Sequence, residues 1–266
     1  MQARLFFDGS EIAPAAFGDA VLRAAGGFER LGIGEGDVVC LMLRNDPALL
    51  EGIFGARRLG AYTCPVNWHF KADEAGWILR DSGAKLLIVP SYLLKQIEGG
   101  IPQGVSVIEA DAPKWRAWLE MQPRHAGAER TARYSMPYTS GTTGRPKGIR
   151  RFAPSPAETE RAAGALGDNV RRVYGLESGV RALLPAPMYH SAPNMYAMQA
   201  VLLGATLYLE SRFNAERTLH LIEKEQITHA YLVPTMFSRM LKLPDEVKRR
   251  YDLSSMEFVI TMGSPC

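Results

Sequence analysis

The sequence predicts an α/β fold in which layered, parallel-rich sheets are flanked by helices. Two observations support this prediction. Short apolar runs typical of buried strands alternate with longer segments in which apolar residues recur every three or four positions, as on an amphipathic helix. Glycine, proline and aspartate separate these segments. The alternation favours parallel strands, because a helix returns the chain to the start of the next strand.

The first elements have clear boundaries. Apolar residues recur at helical spacing over residues 17–31, and the glycine-rich turn at 32–36 ends that helix. A buried strand is expected from Val38 to Leu43. Asp46-Pro47 then has the form of a helix N-cap with proline at the first helical position, so a second helix begins there and runs to about Leu59.

The same rules place the later elements. Further strands are predicted at residues 61–66, 85–89, 181–184, 206–209, 228–233 and 257–261. Further helices are predicted at residues 73–81, 194–203, 214–226 and 235–241. One more helix begins at Ser155-Pro156-Ala157-Glu158, which has the form of a capping box, and runs to about Tyr174.

The chain is predicted to have two halves. Its 266 residues can bury a large core and suggest one or two domains. Residues 122–133 are polar and lack any period, which is typical of a connection. We therefore expect a first half of about residues 1–132 and a second half of about residues 133–266.

A loop rich in hydroxyl groups and glycine opens the second half. It reads Tyr-Thr-Ser-Gly-Thr-Thr-Gly-Arg-Pro-Lys-Gly over residues 138–148. Glycine lets backbone N–H groups approach phosphate oxygens, and lysine supplies a positive charge. This pattern predicts a polyphosphate site. The predicted ligands are Thr139, Ser140, Gly141, Thr142, Thr143, Gly144 and Lys147. Arg145, Arg150 and Arg151 raise the positive potential around Lys147.

Two other interpretations of the loop are weaker. A Walker-type loop needs Gly-Lys followed by Ser or Thr, whereas Lys147 lies between Pro146 and Gly148. A solvated Thr/Gly/Ser connection is common for short clusters, but it does not account for an eleven-residue order with a correctly placed lysine.

The loop resembles the AMP-binding signature of adenylate-forming enzymes, a group that includes acyl-CoA synthetases, 4-coumarate-CoA ligases, luciferases and peptide-synthetase adenylation domains. Other stretches resemble acyl-CoA synthetases and extend the resemblance over nearly the whole chain. They are residues 38–66, 82–85, 185–193 and 263–266. The resemblance implies the large N-terminal domain of these enzymes, truncated, with the C-terminal domain absent.

The resemblance also implies an acyl and adenylate pocket. Its residues in this sequence are His190, Ser191, Ala192, Met236, Gly263, Ser264 and Pro265. His190 lies in a Pro-Met-Tyr-His segment after a strand, where the family places a histidine near the reacting carboxylate. No nucleophilic residue is implied, and the expected metal ligand and catalytic lysine lie beyond Cys266.

The implied function is that of an ATP-dependent carboxylic acid–CoA ligase. It would use ATP with Mg²⁺ to make an acyl-adenylate, and coenzyme A to make the thioester. The apolar segment 188–198, with no obvious counter-charge, favours a hydrophobic acid. We expect these 266 residues alone to have little or no ligase activity. The alternatives are a non-catalytic nucleotide- or acyl-binding module and another adenylate-forming enzyme.

Composition narrows the class of protein further. A formal net charge of +3 is too small to predict nucleic-acid binding, and 47% apolar residues indicate a globular chain. No segment approaches the roughly 18 apolar residues of a membrane span, so a cytoplasmic protein is expected. Cys40, Cys64 and Cys266 lack metal-site or disulfide spacing. Exposed apolar edges of a shortened sheet would favour a homo-oligomer.

Overall fold

A computed structural model describes residues 3–133, 135–139, 145–151 and 170–262. The side chain of Thr139 lies outside this description. So do most residues of the predicted phosphate loop, the helix start at Ser155, and Gly263, Ser264 and Pro265. Residues 170–174, at the end of that predicted helix, are helical.

Strands and helices are numbered in chain order. The strands are β1 (Leu5–Phe7), β2 (Ser10–Ile12), β3 (Val38–Leu41), β4 (Tyr62–Pro65), β5 (Ala84–Val89), β6 (Ser106–Glu109), β7 (Tyr138–Thr139), β8 (Lys147–Gly148), β9 (Arg181–Leu184), β10 (Thr206–Leu209), β11 (His229–Tyr231) and β12 (Phe258–Ile260). The helices are α1 (Pro14–Arg30), α2 (Pro47–Arg58), α3 (Ala72–Ser82), α4 (Ser91–Ile97), α5 (Ala112–Glu120), α6 (Ser191–Leu202), α7 (Ala215–Glu225), α8 (Pro234–Leu241) and α9 (Asp245–Lys248). A 3₁₀ turn covers Glu98–Gly100.

The described residues form two compact units. The four-stranded unit comprises residues 16–151 and 189–191, and the six-stranded unit comprises residues 3–15, 170–188 and 192–262. The predicted division of the chain near residue 132 remains a prediction.

The four-stranded unit is built on a parallel sheet with strand order β4-β3-β5-β6. Every residue of β3 and β4 is buried, as expected for strands covered by helices on both faces. The core of the unit contains Cys40, Met42, Cys64, Ile78 and Leu87, each at most 1% exposed. A separate antiparallel pair, β7 with β8, belongs to the same unit.

The six-stranded unit has the strand order β12-β11-β9-β10-β1-β2. All its pairings are parallel except that of β2 with β1. The turn between β1 and β2 is formed by Asp8 and Gly9, with φ angles of 48° and 90°. Two consecutive positive φ angles are characteristic of the type I′ turn that suits a two-residue hairpin.

The predicted α/β class with parallel-rich sheets and flanking helices is confirmed. The predicted strands at residues 181–184 and 206–209 have the observed bounds of β9 and β10. Asp46 caps α2 as predicted, since its side chain accepts a hydrogen bond from the backbone N–H of Ala48 at 2.8 Å. The short elements β1, β2, β6, α4, α5 and α9 were not predicted. Within the described residues, no helix is long and apolar enough to cross a membrane.

Candidate functional site

Two short strands close the predicted phosphate loop. β7 and β8 pair in antiparallel fashion, with Tyr138 opposite Gly148 and Thr139 opposite Lys147. Residues 140–146 therefore connect two paired strand ends, and Lys147 is the first residue after that connection. Its side chain is exposed, which leaves its ammonium group accessible to a ligand. Ser140, Gly141, Thr142, Thr143 and Gly144 lie outside the described residues.

Gly148 packs directly against the Tyr138 ring of the facing strand. A Cβ atom at position 148 would lie 2.6 Å from Cζ of the Tyr138 ring on the facing strand. Any larger residue at this position would therefore require the Tyr138 ring to shift. Since Gly148 directly follows Lys147, this packing sets the backbone next to the lysine.

Helix α3 contacts both strands of the pair. The indole Nε1 of Trp77 donates a hydrogen bond to the carbonyl oxygen of Pro146 at 3.2 Å, and the guanidinium carbon of Arg145 lies 4.5 Å from the centre of a Trp77 ring. The Tyr138 hydroxyl donates to Oδ2 of Asp81 at 2.6 Å. Desolvation, together with the Asp81 carboxylate, raises the pKa of Tyr138, so this hydroxyl keeps its proton.

The segment after β8 contacts Tyr62 of β4 and the backbone of Gly36. Arg150 donates to the carbonyl oxygen of Gly36 at 2.8 Å, and its guanidinium carbon lies 4.8 Å from the centre of the Tyr62 ring. The Tyr62 hydroxyl donates to the carbonyl oxygen of Arg151 at 2.8 Å. The structure thus gives Arg145 and Arg150 aromatic partners, on Trp77 and Tyr62 respectively. Their effect on the potential at Lys147 remains a prediction.

The predicted acyl-site segment follows β9. Its residues in the six-stranded unit include buried Met188, whose carbonyl oxygen accepts a hydrogen bond from the side chain of buried Asn194 at 3.1 Å. Ala192 is half-buried and lies at the start of α6, and Met236 is buried in α8. Asn194 was predicted only as the start of a helix, and its side chain fixes the Met188 peptide.

His190 belongs to the four-stranded unit and lies at its surface. Its ring centre is 4.2 Å from that of Tyr189, and the Tyr189 ring meets Trp68 edge-on at 6.1 Å. Arg44 covers the Trp68 ring, with its guanidinium carbon 3.7 Å from the ring centre. Desolvation lowers the pKa of His190, so the imidazole is neutral at neutral pH. Ser191, the next residue, is exposed.

The described residues of the predicted site belong to both units of the chain. Lys147, His190 and Ser191 belong to the four-stranded unit, and Ala192 and Met236 to the six-stranded unit. The sequence did not reveal Trp77 and Asp81 as contacts of the loop strands. Within the described parts of the chain, no three His, Cys, Asp or Glu side chains are grouped so that they could hold a metal ion.

Comparison with known proteins assigns the family. The model of the family described as "AMP-binding enzyme" matches residues 4–266. The chain belongs to this family. The predicted resemblance is confirmed over almost its whole length.

Two relatives illustrate the relationship of this AMP-binding chain to longer proteins. 4-Coumarate–CoA ligase 3 of Arabidopsis thaliana is 31% identical in an alignment of 261 positions that covers 91% of this chain and 44% of the relative. Feruloyl-CoA synthase of an Amycolatopsis species is 31% identical in an alignment of 264 positions that covers 97% of this chain and 50% of the relative. The chain thus spans about half the length of the curated relatives it matches.

A solved structure supports the fold of the AMP-binding chain. The N-terminal domain of FACL13 from Mycobacterium tuberculosis matches with a TM-score of 0.83 at 24% sequence identity. The match covers 99% of this chain and 67% of that one. At this identity the likeness shows the fold, which is that of the N-terminal domain of an acyl-CoA synthetase, as predicted.

Proposed function

We propose that this chain is the nucleotide-binding part of an ATP-dependent carboxylic acid–CoA ligase that works through an acyl-adenylate. The observation that carries the proposal is the β7–β8 pair, which joins the two ends of a hydroxyl- and glycine-rich loop and leaves Lys147 exposed at its end. Membership of the AMP-binding family and the ligase names of two relatives support it.

The proposed reaction has two steps. In the first, a carboxylate oxygen attacks the α-phosphorus of ATP, the bond from that phosphorus to the β-phosphate bridge breaks, and pyrophosphate leaves. In the second, the thiol of coenzyme A loses its proton and attacks the acyl carbon, and AMP leaves. Two anions must meet in the first step, so catalysis depends on charge neutralisation and positioning.

The loop would hold the β- and γ-phosphates. Backbone N–H groups of Gly141 and Gly144 and the hydroxyl groups of its Thr and Ser residues would donate hydrogen bonds, and Lys147 would add a point charge. Thr139, Ser140, Thr142 and Thr143 supply those hydroxyl groups. Mg²⁺ bound with ATP would neutralise further phosphate charge.

His190 would lie near the reacting carboxylate. A neutral imidazole has no positive charge to pair with the acid, so its contribution would be one N–H donor and one acceptor nitrogen. Ser191, Ala192, Met236, Gly263, Ser264 and Pro265 would complete the acyl and adenylate pocket.

The acid is proposed to be hydrophobic. Met188 and Met236 are buried apolar residues in the segments assigned to the acyl site, and the two relatives are named for 4-coumarate and ferulate. A panel of acids would test this class in a protein that contains the whole catalytic unit. Preference for acetate or for an amino acid would contradict it.

ATP binding by the chain tests the core of the proposal. Lys147→Ala should weaken binding of Mg²⁺-ATP by roughly 10- to 100-fold, because a charge-assisted contact contributes about 1.5–3 kcal/mol. The measurement is isothermal titration calorimetry. Lys95→Ala is the matched control, since Lys95 is exposed on α4 of the same unit. Equal affinity of the Lys147 and Lys95 variants would contradict the assignment of the phosphate site.

A second candidate is a non-catalytic nucleotide- or acyl-binding module. Loss of ATP affinity in the Lys147 variant is expected for both candidates, so it does not separate them. Acid-dependent release of pyrophosphate by a protein that contains the whole catalytic unit does separate them, because only the ligase breaks the bond between the α- and β-phosphates.

A further inference from the structure

We propose that helix α3 positions the phosphate-loop strands through Trp77 and Asp81, and that Trp77 is a positioning residue for binding of the ATP β- and γ-phosphates. The inference rests on the proposed function, because it assigns the same loop to ATP. Helix α3 lies outside the loop and would set the geometry of the two strands that close it.

The spacing of the two residues suits a clamp on a strand pair. Trp77 and Asp81 are four residues apart on α3, so their side chains lie one helical turn from each other on the same face. Trp77 contacts Pro146, next to β8, and Asp81 contacts Tyr138 of β7. One face of α3 therefore holds both strands that close the loop.

The Trp77 contact acts on the peptide that carries Lys147. The carbonyl oxygen of Pro146, which accepts the indole hydrogen bond, belongs to the same planar peptide unit as the nitrogen of Lys147. A hydrogen bond to the Pro146 carbonyl oxygen therefore restricts the orientation of this peptide unit, and with it the direction of the Lys147 side chain. The indole ring also stacks with Arg145, which removes rotational freedom from the residue before Pro146.

The Asp81 contact fixes the other strand. The Tyr138 hydroxyl is bonded to Asp81, and its ring covers Gly148 on the facing strand. Tyr138 therefore links α3 to β7 and also contacts Gly148, the residue after Lys147, on the facing strand.

Helix α3 is itself a fixed support. Its opposite face is buried in the core through Ala75, Ile78 and Leu79. Glu74 accepts a hydrogen bond from the Lys71 backbone at 3.1 Å at its start, and Gly83 ends it with a φ of 67°. A ligand contact held by a packed helix keeps its geometry better than one held by a free loop.

Trp77→Phe is the decisive variant. Phenylalanine keeps an aromatic ring for Arg145 but removes the N–H that Pro146 accepts. We expect affinity for Mg²⁺-ATP to fall about 3- to 10-fold, the effect of one hydrogen bond. Affinity for AMP, which lacks the β- and γ-phosphates, should equal that of the wild type, and the melting temperature should fall by no more than about 2–4 °C, the effect of one lost hydrogen bond.

Trp118→Phe is the matched control. Trp118 is a half-buried tryptophan in the same unit that stacks on Trp115 at 5.2 Å, and its described contacts do not include the loop strands. Its variant should bind ATP like the wild type. Asp81→Ala and Tyr138→Phe remove the same hydrogen bond, so each should weaken ATP binding and the double variant should be no weaker than the worse single one.

The outcomes separate the inference from the proposed function. Equal ATP affinity of Trp77→Phe and Trp118→Phe, with Lys147→Ala still weakened, would overturn the positioning role and leave the phosphate site standing. A parallel fall in ATP affinity, AMP affinity and melting temperature would show a general structural role and would also overturn it. A wild-type chain that binds no ATP would overturn both.

Discussion

At position 148, a side chain larger than that of glycine would require the facing Tyr138 ring to shift. The facing Tyr138 ring fills the space, and Asp81 and Trp77 fix the strands on either side of the loop. The glycine next to Lys147 therefore has a packing reason in addition to its place in the loop. Residues that build a binding site in this way need not touch the ligand.

The hydroxyl group of Tyr196 is the buried side-chain polar atom without a hydrogen-bond partner in the described structure. Its ring packs against Tyr231 and Tyr174, with ring centres 5.6 and 6.2 Å away. Burial raises the pKa of Tyr196, so the group remains a neutral hydroxyl. Burying a hydroxyl group without a hydrogen bond lowers the free energy of unfolding, and the packing of the ring must offset that cost.

We therefore expect Tyr196→Phe to increase the free energy of unfolding by about 1 kcal/mol, because it removes the unpaired group and keeps the ring. Urea denaturation followed by circular dichroism measures the change. Tyr208→Phe gives the contrast, since the Tyr208 hydroxyl accepts a hydrogen bond from Arg181 and its loss should destabilise. A Tyr196 variant that is less stable than the wild type would show that the hydroxyl has a partner in solution.

At the level of elements, local signals decided what could be predicted. The bounds of α2 followed from Asp46 and Pro47 at its start and Gly60 after its end, all of which lie within the element or next to it. The hairpin of β1 and β2 has a local signal in Asp8-Gly9, but it was missed because the strands that flank the turn are very short. Each of these strands has three residues, and β1 is stabilised by pairing with β10, where Leu5 lies opposite Leu207.

The candidate site shows the same division. The residue types and order of 138–148 predict a phosphate loop from the chain itself, and that assignment stays a prediction. The contact of Trp77 with Pro146 spans 69 residues of sequence, so no local pattern pointed to it. An i, i+4 pair of Trp and Asp on a helix is common, and its partners are set by tertiary packing.

Strand β11 contains a buried histidine, His229, and we expect it to make the six-stranded unit sensitive to acid. His229 is 7% exposed, and its ring stacks on Phe258 with ring centres 5.6 Å apart. Desolvation lowers its pKa, and the charges of Glu257 and Glu177 and a hydrogen bond to the Gly175 backbone oppose that effect only in part. The folded state therefore takes up a proton less readily than the unfolded state.

The sign of the pH effect follows from this difference. Above about pH 6.5, the usual pKa of histidine, both states are neutral and the group has no effect. As the pH falls below this value, the unfolded state binds the proton first, so the free energy of unfolding decreases until the folded pKa is passed. We expect wild type to lose more stability than His229→Gln between pH 7 and about pH 5.

Urea midpoints measured across that pH range test the prediction. His220→Gln is the control, since it removes an exposed histidine from α7 in the same unit. Parallel pH profiles of wild type and His229→Gln would contradict the role assigned to the buried ring.

At the level of the whole molecule, charge is nearly balanced. The formal net charge is +3 in a chain of 266 residues, so attraction of an anion by the overall charge is weak. Binding of a polyphosphate must then depend on local groups. Two variants separate the effect of overall charge from that of local charge. Lys147→Ala and Lys95→Ala each lower the net charge by one, the first next to the loop and the second on α4.

We expect ATP affinity of the wild type to fall several-fold as salt rises from about 0.1 M to about 1 M, since the Debye length falls from about 10 Å to about 3 Å. Lys147→Ala should show a flatter dependence on salt, because the exposed ammonium group at the loop is absent. Lys95→Ala has the same net charge as Lys147→Ala, but its salt dependence should equal that of the wild type. Titrations at several salt concentrations measure how steeply ATP affinity depends on salt in each of the three proteins. Equal flattening in both variants would show that the overall charge attracts ATP, and it would contradict a specific role for Lys147.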